Sequence, residues 1–178
     1  RTQALGMHKD GFTTIHSTDI SPKAVEILKE RQAKLKGDTS GLTVAVDDCR
    51  NSTLSSGSFD YVLDKGTLDV IFSSMDLSQR KASLGEMMRL LQPSSGLLIS
   101  VSFDPPDERL ELLHTPLASQ HRFQCSVQEL PKPYPSEYSL KKEYYIYLCR
   151  PQEWGSAETA PSPPVGNSAG STPKTPEL

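Results

Sequence analysis

Three acidic residues draw attention because each closes a run of strand-forming residues. Asp19 follows residues 12–18, Asp48 follows residues 42–46, and Asp64 ends the run that opens at Phe59. A carboxylate that follows a strand and precedes a capped helix, as Asp19 does, can accept hydrogen bonds from both hydroxyls of a ribose. One at Asp48 can accept from an exocyclic amine such as that of adenine. Ligands of open α/β sheets lie beyond the C-terminal ends of the strands, so three carboxylates at successive strand ends fit one nucleotide-type site. Each also has a local alternative. Asp19 could favour a helix N-terminus, Asp48 could form an Asx-turn, and Asp64 could pair with Lys65 or accept loop amides.

The elements that must position these residues alternate in type. Residues 12–18 are β-branched and aromatic, and Ser21 with Pro22 marks a helix start. That helix places Val25, Leu28 and Leu35 near one face and stops at Gly37. Strands follow at 42–46 and 59–64, Thr67 is placed to cap a short helix from Leu68, and a second helix spans 78–91. Pro93 to Gly96 breaks it before the apolar run 97–103, long enough for a buried parallel strand. After a Pro-containing loop and a short helical stretch, runs 122–130 and 143–149 read as two further strands joined by an exposed loop. Tyr144, Tyr145 and Tyr147 on the last of these read as packing residues. Strands alternating with helices predict an α/β fold with a mostly parallel, Rossmann-like sheet, closed by a C-terminal antiparallel hairpin.

The chain has 178 residues and a formal net charge of −3, with 35% hydrophobic and 23% charged residues. Nothing in this composition points to a nucleic-acid or membrane partner, and no apolar run reaches the about 18 residues of a spanning helix. Residues 1–150 read as the folded domain. Residues 151–178 are rich in Pro, Ser, Thr, Gly and Ala and read as a disordered tail that cannot offset its ordering entropy. Cys49, Cys125 and Cys149 lie far apart, show no metal-ligand spacing with the histidines, and read as reduced thiols.

Two longer segments, FDYVLDKGTLDVI (59–71) and EMMRLLQPSSGLLISVSF (86–103), resemble the second half of a class I S-adenosylmethionine-dependent methyltransferase. The tetrapeptide Asp64-Lys65-Gly66-Thr67, with FDPPDERL (103–110) and SVQELP (126–131), is similar to the protein-lysine methyltransferases that act on elongation factor 1-alpha and citrate synthase. The mitochondrial citrate synthase branch is the nearer of the two. The resemblance implies S-adenosylmethionine as cofactor, with Asp19, Asp48 and Cys49 on the cofactor side and Asp64 orienting the substrate lysine. It implies citrate synthase as protein partner and the mitochondrial matrix as location, with a cytoplasmic elongation factor enzyme as the alternative.

One departure carries consequences. The family's first strand and its Gly-rich turn have no counterpart here, since Gly6 and Gly11 do not form G-x-G-x-G. The sheet is therefore expected to lack a central strand, and the chain by itself to be inactive; with no initiator methionine at Arg1, any targeting signal lies out of view. Two other classes stay open on the residues alone. Asp19 also suits the adenosine ribose of a nicotinamide-dependent dehydrogenase, and a methyltransferase-like remnant could bind a partner without turnover.

Overall fold

A computed structural model describes residues 3–115, 117, 121–131 and 143–153. Helix α1 (Gln3–Lys9) leads to β1 (Ile15–Asp19), α2 (Pro22–Gln32) and β2 (Leu42–Val46). Then come β3 (Tyr61–Lys65), α3 (Thr67–Ser74), α4 (Leu77–Leu90), β4 (Leu97–Ser102) and α5 (Pro106–Leu113), and finally β5 (His121–Pro131) and β6 (Glu143–Glu153). The expected α/β fold is observed. Ser21 caps α2 by accepting from the Ala24 amide at 3.3 Å, with Pro22 opening the helix. Asp76 caps α4 in the same way through the Gln79 amide at 2.9 Å.

The strands form two ladders. β1 and β2 pair in parallel, while the other sheet runs β3-β4-β6-β5, parallel between β3 and β4 and antiparallel thereafter. No ladder joins β1 to β3 among the described residues, although the rings of His16 on β1 and Phe59 ahead of β3 meet edge-on at 5.3 Å. The two ladders thus remain separate among the described residues. Each ladder has its own core. Ala4, Leu5, Ile15, Val25, Leu42 and Val44 bury together beneath α1 and α2. The second core joins Leu68, Phe72, Leu84, Met87, Leu98, Phe123 and Tyr147, with α3, α4 and α5 all packed on one face of their sheet. Its opposite face carries Tyr61 and Leu63, which stay 62% and 42% exposed. Open strand edges beside exposed apolar residues favour association with further chain.

Two expectations need adjustment. The strand predicted from Phe12 begins at Ile15, because the Phe12 amide instead bonds the Met7 carbonyl at 3.1 Å and turns the chain out of α1. Cys125 and Cys149, read as reduced thiols, form a disulfide with Cα atoms 4.0 Å apart. They are 24 residues apart in sequence, and only the β5–β6 register, which sets them directly opposite, brings them together. β6 continues to Glu153, pairing Pro151 with Phe123, while residues 154–178 of the expected tail and the 132–140 loop lie outside the described residues. Among the described residues no helix is long and apolar enough to cross a membrane.

The disulfide leaves Cys49 as the free cysteine. Thiol titration of the denatured, unreduced protein should therefore count one reactive thiol for this chain and three after reduction. Three before reduction would show that Cys125 and Cys149 are unpaired.

Candidate functional site

Asp64 shows what the sequence Asp-Lys-Gly-Thr does at a strand end. Gly66 adopts φ 79°, a left-handed conformation that costs glycine little, and turns β3 abruptly into α3. Glycine has no side chain to cap the new helix, so Asp64 supplies one from two residues upstream. Its Oδ1 accepts from the amides of Thr67 and Leu68 at 2.9 and 3.2 Å, and its Oδ2 accepts from the Ser100 hydroxyl at 2.8 Å. Thr67 is therefore the first residue of α3 and not its cap. Asp64 is 3% exposed, and burial raises its pKa against the pull of these hydrogen bonds. Both oxygens hold protein groups, which is the loop-amide alternative to the orienting role expected of Asp64.

Asp19 is placed differently. It ends β1 on an exposed surface, and Oδ1 accepts the Ser21 amide at 2.9 Å just before α2 begins. No hydrogen bond is formed by Oδ2 among the described residues. Asp48, one turn beyond β2, is half-buried. Its Oδ1 accepts from the amide and Nε of Arg50, both at 2.9 Å, and its Oδ2 meets Nη2 at 2.7 Å. The Asx-turn alternative is thus present in Asp48, and the Arg50 guanidinium holds its carboxyl below the usual range. Cys49 is half-buried against the larger core, and burial, then the charges of Asp48 and Asp64, push its thiol pKa up. An adenine amine at Asp48 would share oxygens with Arg50, so Asp19 is the freer acceptor of the two.

The helix before β4 explains its own motif. Arg89 pairs with Glu86 at 2.8 Å and donates to the carbonyls of Leu54 and Ser52 at 2.9 and 3.1 Å, anchoring the loop that follows Asp48. At Gly96 an added Cβ would lie 2.6 Å from the Gln92 carbonyl oxygen, so this turn needs glycine there and accepts serine at 94 and 95.

A polar cluster that sequence reading passed over lies at the C-terminal end of β4. Arg109 of α5 is fully buried. Its Nη2 donates to Ser102 Oγ at 2.6 Å and Asp104 Oδ2 at 2.7 Å, and pairs with Asp69 of α3. Ser102 in turn donates to Asp69 at 2.6 Å, Tyr147 donates to the Asp104 carbonyl at 2.6 Å, and the guanidinium sits 4.9 Å over the Phe72 ring. A signal was available. Ser100 and Ser102 alternate on one face of an otherwise apolar strand, and buried hydroxyls require polar partners.

Among the described residues the exposed Asp19 keeps one carboxylate oxygen without a hydrogen bond, while both oxygens of Asp48 are taken by Arg50. The described residues include no Gly-rich turn that would approach the methionine half of S-adenosylmethionine, and no group of three residues suited to a metal ion.

Comparison with known proteins shows the family. A family model described as a methyltransferase domain matches residues 3–151. The mitochondrial citrate synthase-lysine N-methyltransferase of Danio rerio is 35% identical over 100 residues, 52% of this chain and 39% of that protein. EEF1A lysine methyltransferase 4 of Mus musculus is 29% identical over 147 residues, covering 78% and 51%. The chain thus spans about half or less of each relative. In fold it is similar to a SAM-dependent methyltransferase from Methanosarcina mazei, with a TM-score of 0.61 at 14% identity, covering 82% of this chain and 85% of that one.

If Asp64 is a buried cap, its effect on stability has a definite sign. A carboxyl with a raised folded pKa binds more protons folded than unfolded, so its contribution falls as pH rises upward from about 4. Asp64→Asn keeps the acceptor for both amides and can donate to Ser100. It should match wild-type stability at pH 7 and flatten that decline, whereas Asp64→Ala should lose about 1–3 kcal/mol. Denaturation at several pH values checks this, and an Asn variant as damaged as the Ala variant would contradict it.

Proposed function

Because the chain belongs to the methyltransferase-domain family, we propose that it forms part of an S-adenosylmethionine-dependent protein-lysine N-methyltransferase acting on citrate synthase. The proposed unit is the expected domain of residues 1–150, carried on to Glu153 by the end of β6, with the rest of 151–178 as a tail outside it. The observation that carries the cofactor assignment is Asp19, an exposed carboxylate at the end of β1 with one oxygen held by the Ser21 amide and oriented by it. In this reading Asp19 accepts from the ribose hydroxyls, and Asp48 and Cys49 flank the base. The cofactor, when bound, supplies an electrophilic methyl group on a sulfonium. The protein's work is then to bring a lysine amine into line with it and to exclude water. A free lysine amine has a pKa near 10.4, so an apolar slot that disfavours the cation raises the nucleophilic fraction.

The protein substrate follows from likeness to the citrate synthase enzyme, and a mitochondrial location follows with it. Elongation factor 1-alpha is the second reading, supported by a relative whose similarity extends over more of the chain; a cytoplasmic location would accompany it. The divided sheet supports a third reading, a methyltransferase-like binding module without turnover.

Loss of a charged hydrogen bond costs about 1.5–3 kcal/mol, so Asp19→Ala in the full-length protein should weaken S-adenosylmethionine binding at least about tenfold. Isothermal calorimetry measures this directly. Unchanged affinity in a folded variant would remove Asp19 from the cofactor site.

A further inference from the structure

The two cores share no ladder among the described residues, yet Ser52 is tied to both halves. It lies in the loop that leaves β2. Its hydroxyl donates to Asp47, whose own amide donates to the Asp19 carbonyl at 3.2 Å, so this bond leads back to the end of β1. Thr53 adds two bonds to the other Asp47 oxygen, from its amide at 3.0 Å and its hydroxyl at 3.1 Å. In the other direction the Ser52 amide donates to Glu86 Oε2 at 2.9 Å, and the Ser52 carbonyl accepts from Arg89 Nη2 at 3.1 Å. Hydroxyl, amide and carbonyl of one residue thus join the β1–β2 half to α4, the helix packed on the other sheet.

Glu86 and Arg89 are matched to this task. They stand three residues apart on α4 and pair through two bonds, Nε to Oε1 at 3.0 Å and Nη2 to Oε2 at 2.8 Å. A two-bond fork fixes both groups in direction as well as distance. Arg89 Nη1 then reaches the Leu54 carbonyl and the Ser56 hydroxyl at 2.9 and 2.8 Å, and the Arg89 carbonyl accepts the Gly57 amide at 2.8 Å. One turn of helix therefore holds the loop from Ser52 to Gly57. Stability alone asks less of the pair. With side chains 20% and 31% exposed, its ionic attraction adds little to the fold. The Arg89 guanidinium keeps the Glu86 carboxyl below its usual range, against the opposing charge of Asp47.

Resting on the lysine methyltransferase reading above, we propose that Glu86 and Arg89 are positioning residues that set the cofactor carboxylates of β1 and β2 in register with the ends of β3 and β4. They act only through the 52–57 loop. Ligands of such sheets lie beyond the strand ends, so the methyl group and its acceptor are brought together across the two ladders. Asp19 and Asp48 keep supports of their own, the Asp47 amide and Arg50, so releasing the clamp leaves adenosine recognition in place. What it changes is the alignment of methyl group and amine, where a shift of about 1 Å can cost about a hundredfold in rate.

The test uses the full-length protein with citrate synthase and elongation factor 1-alpha as acceptors, and S-adenosylhomocysteine as the binding probe. Arg89→Met removes the fork and leaves Glu86 unopposed beside Asp47. Without any ligand, the Ser52 amide should then exchange with solvent at least about tenfold faster. At saturating substrates kcat should fall at least about tenfold, while the S-adenosylhomocysteine Kd and the acceptor KM each stay within about threefold of wild type. Arg89→Lys should recover part of kcat. Ser52→Ala removes the hydroxyl, with its bonds to Asp47 and the Leu54 amide, and keeps both backbone ties to α4. It should lower kcat at least about threefold with the same split, and it decides the matter if Arg89→Met fails to fold. Because both substitutions break one linkage, the double variant should lose no more than Arg89→Met alone. An unchanged kcat, losses that multiply in the double variant, or a fall in cofactor affinity equal to the fall in kcat would overturn the proposal while leaving the methyltransferase reading intact. A wild-type protein that binds S-adenosylhomocysteine but methylates neither acceptor would overturn the substrate reading instead. The clamp is then judged by exchange, where a faster Ser52 amide in Arg89→Met supports it and an unchanged rate contradicts it.

Discussion

A buried carboxylate that accepts three protein hydrogen bonds is the hinge of this fold. Asp64 joins the end of β3 to the first turn of α3 and to β4, through two amides and one hydroxyl. Because burial disfavours its charge, the site tolerates Asp64 only while those three donors stay in place. The consequences spread outward. The left-handed Gly66 can turn the chain tightly because the helix it opens is capped from upstream. The direction of α3 then decides where Asp69 lies, and Asp69 meets Ser102 and Arg109 across 33 and 40 residues of chain. The polar cluster around Arg109 is thus built on the cap.

The second constraint is the break between the ladders. β1 and β2 share a core with α1 and α2, and β3 to β6 share another with α3, α4 and α5. A parallel strand is normally buried on both faces and paired on both edges. Here β1 and β3 each lack a partner on one side among the described residues, and Tyr61 and Leu63 are exposed on the uncovered face. The carboxylates proposed for the cofactor belong to one ladder and the ends of β3 and β4 to the other. Relative placement of the two halves therefore bears directly on whether a methyl group and an amine can be held about 3–3.5 Å apart.

Local patterns carried the elements and not their partners. Ser21 with Pro22 marked the start of α2, and the helix expected over 78–91 is observed as α4. Alternation and turn residues located the closing hairpin. The positions of Asp19 at the end of β1 and Asp48 just beyond β2 were legible because a carboxylate after a strand is a one-dimensional pattern. The committed oxygens of Asp64 were not, because Ser100 lies 36 residues away and nothing in the β3 run names it. The same holds for Cys125 opposite Cys149, where register decides, and for Arg109, whose charge in a short amphipathic helix gives no hint that it points inward.

The central claim is that the strand ends of this sheet recognise the adenosine of S-adenosylmethionine, with Asp19 as the principal acceptor. A Rossmann-like sheet with a ribose-binding carboxylate could equally serve a nicotinamide dinucleotide, so the deciding measurement compares the two. Calorimetric titration of the full-length protein with S-adenosylhomocysteine and, separately, with NAD should give saturable binding of the first and none of the second. Binding of NAD in preference to S-adenosylhomocysteine, or of neither, would contradict the account.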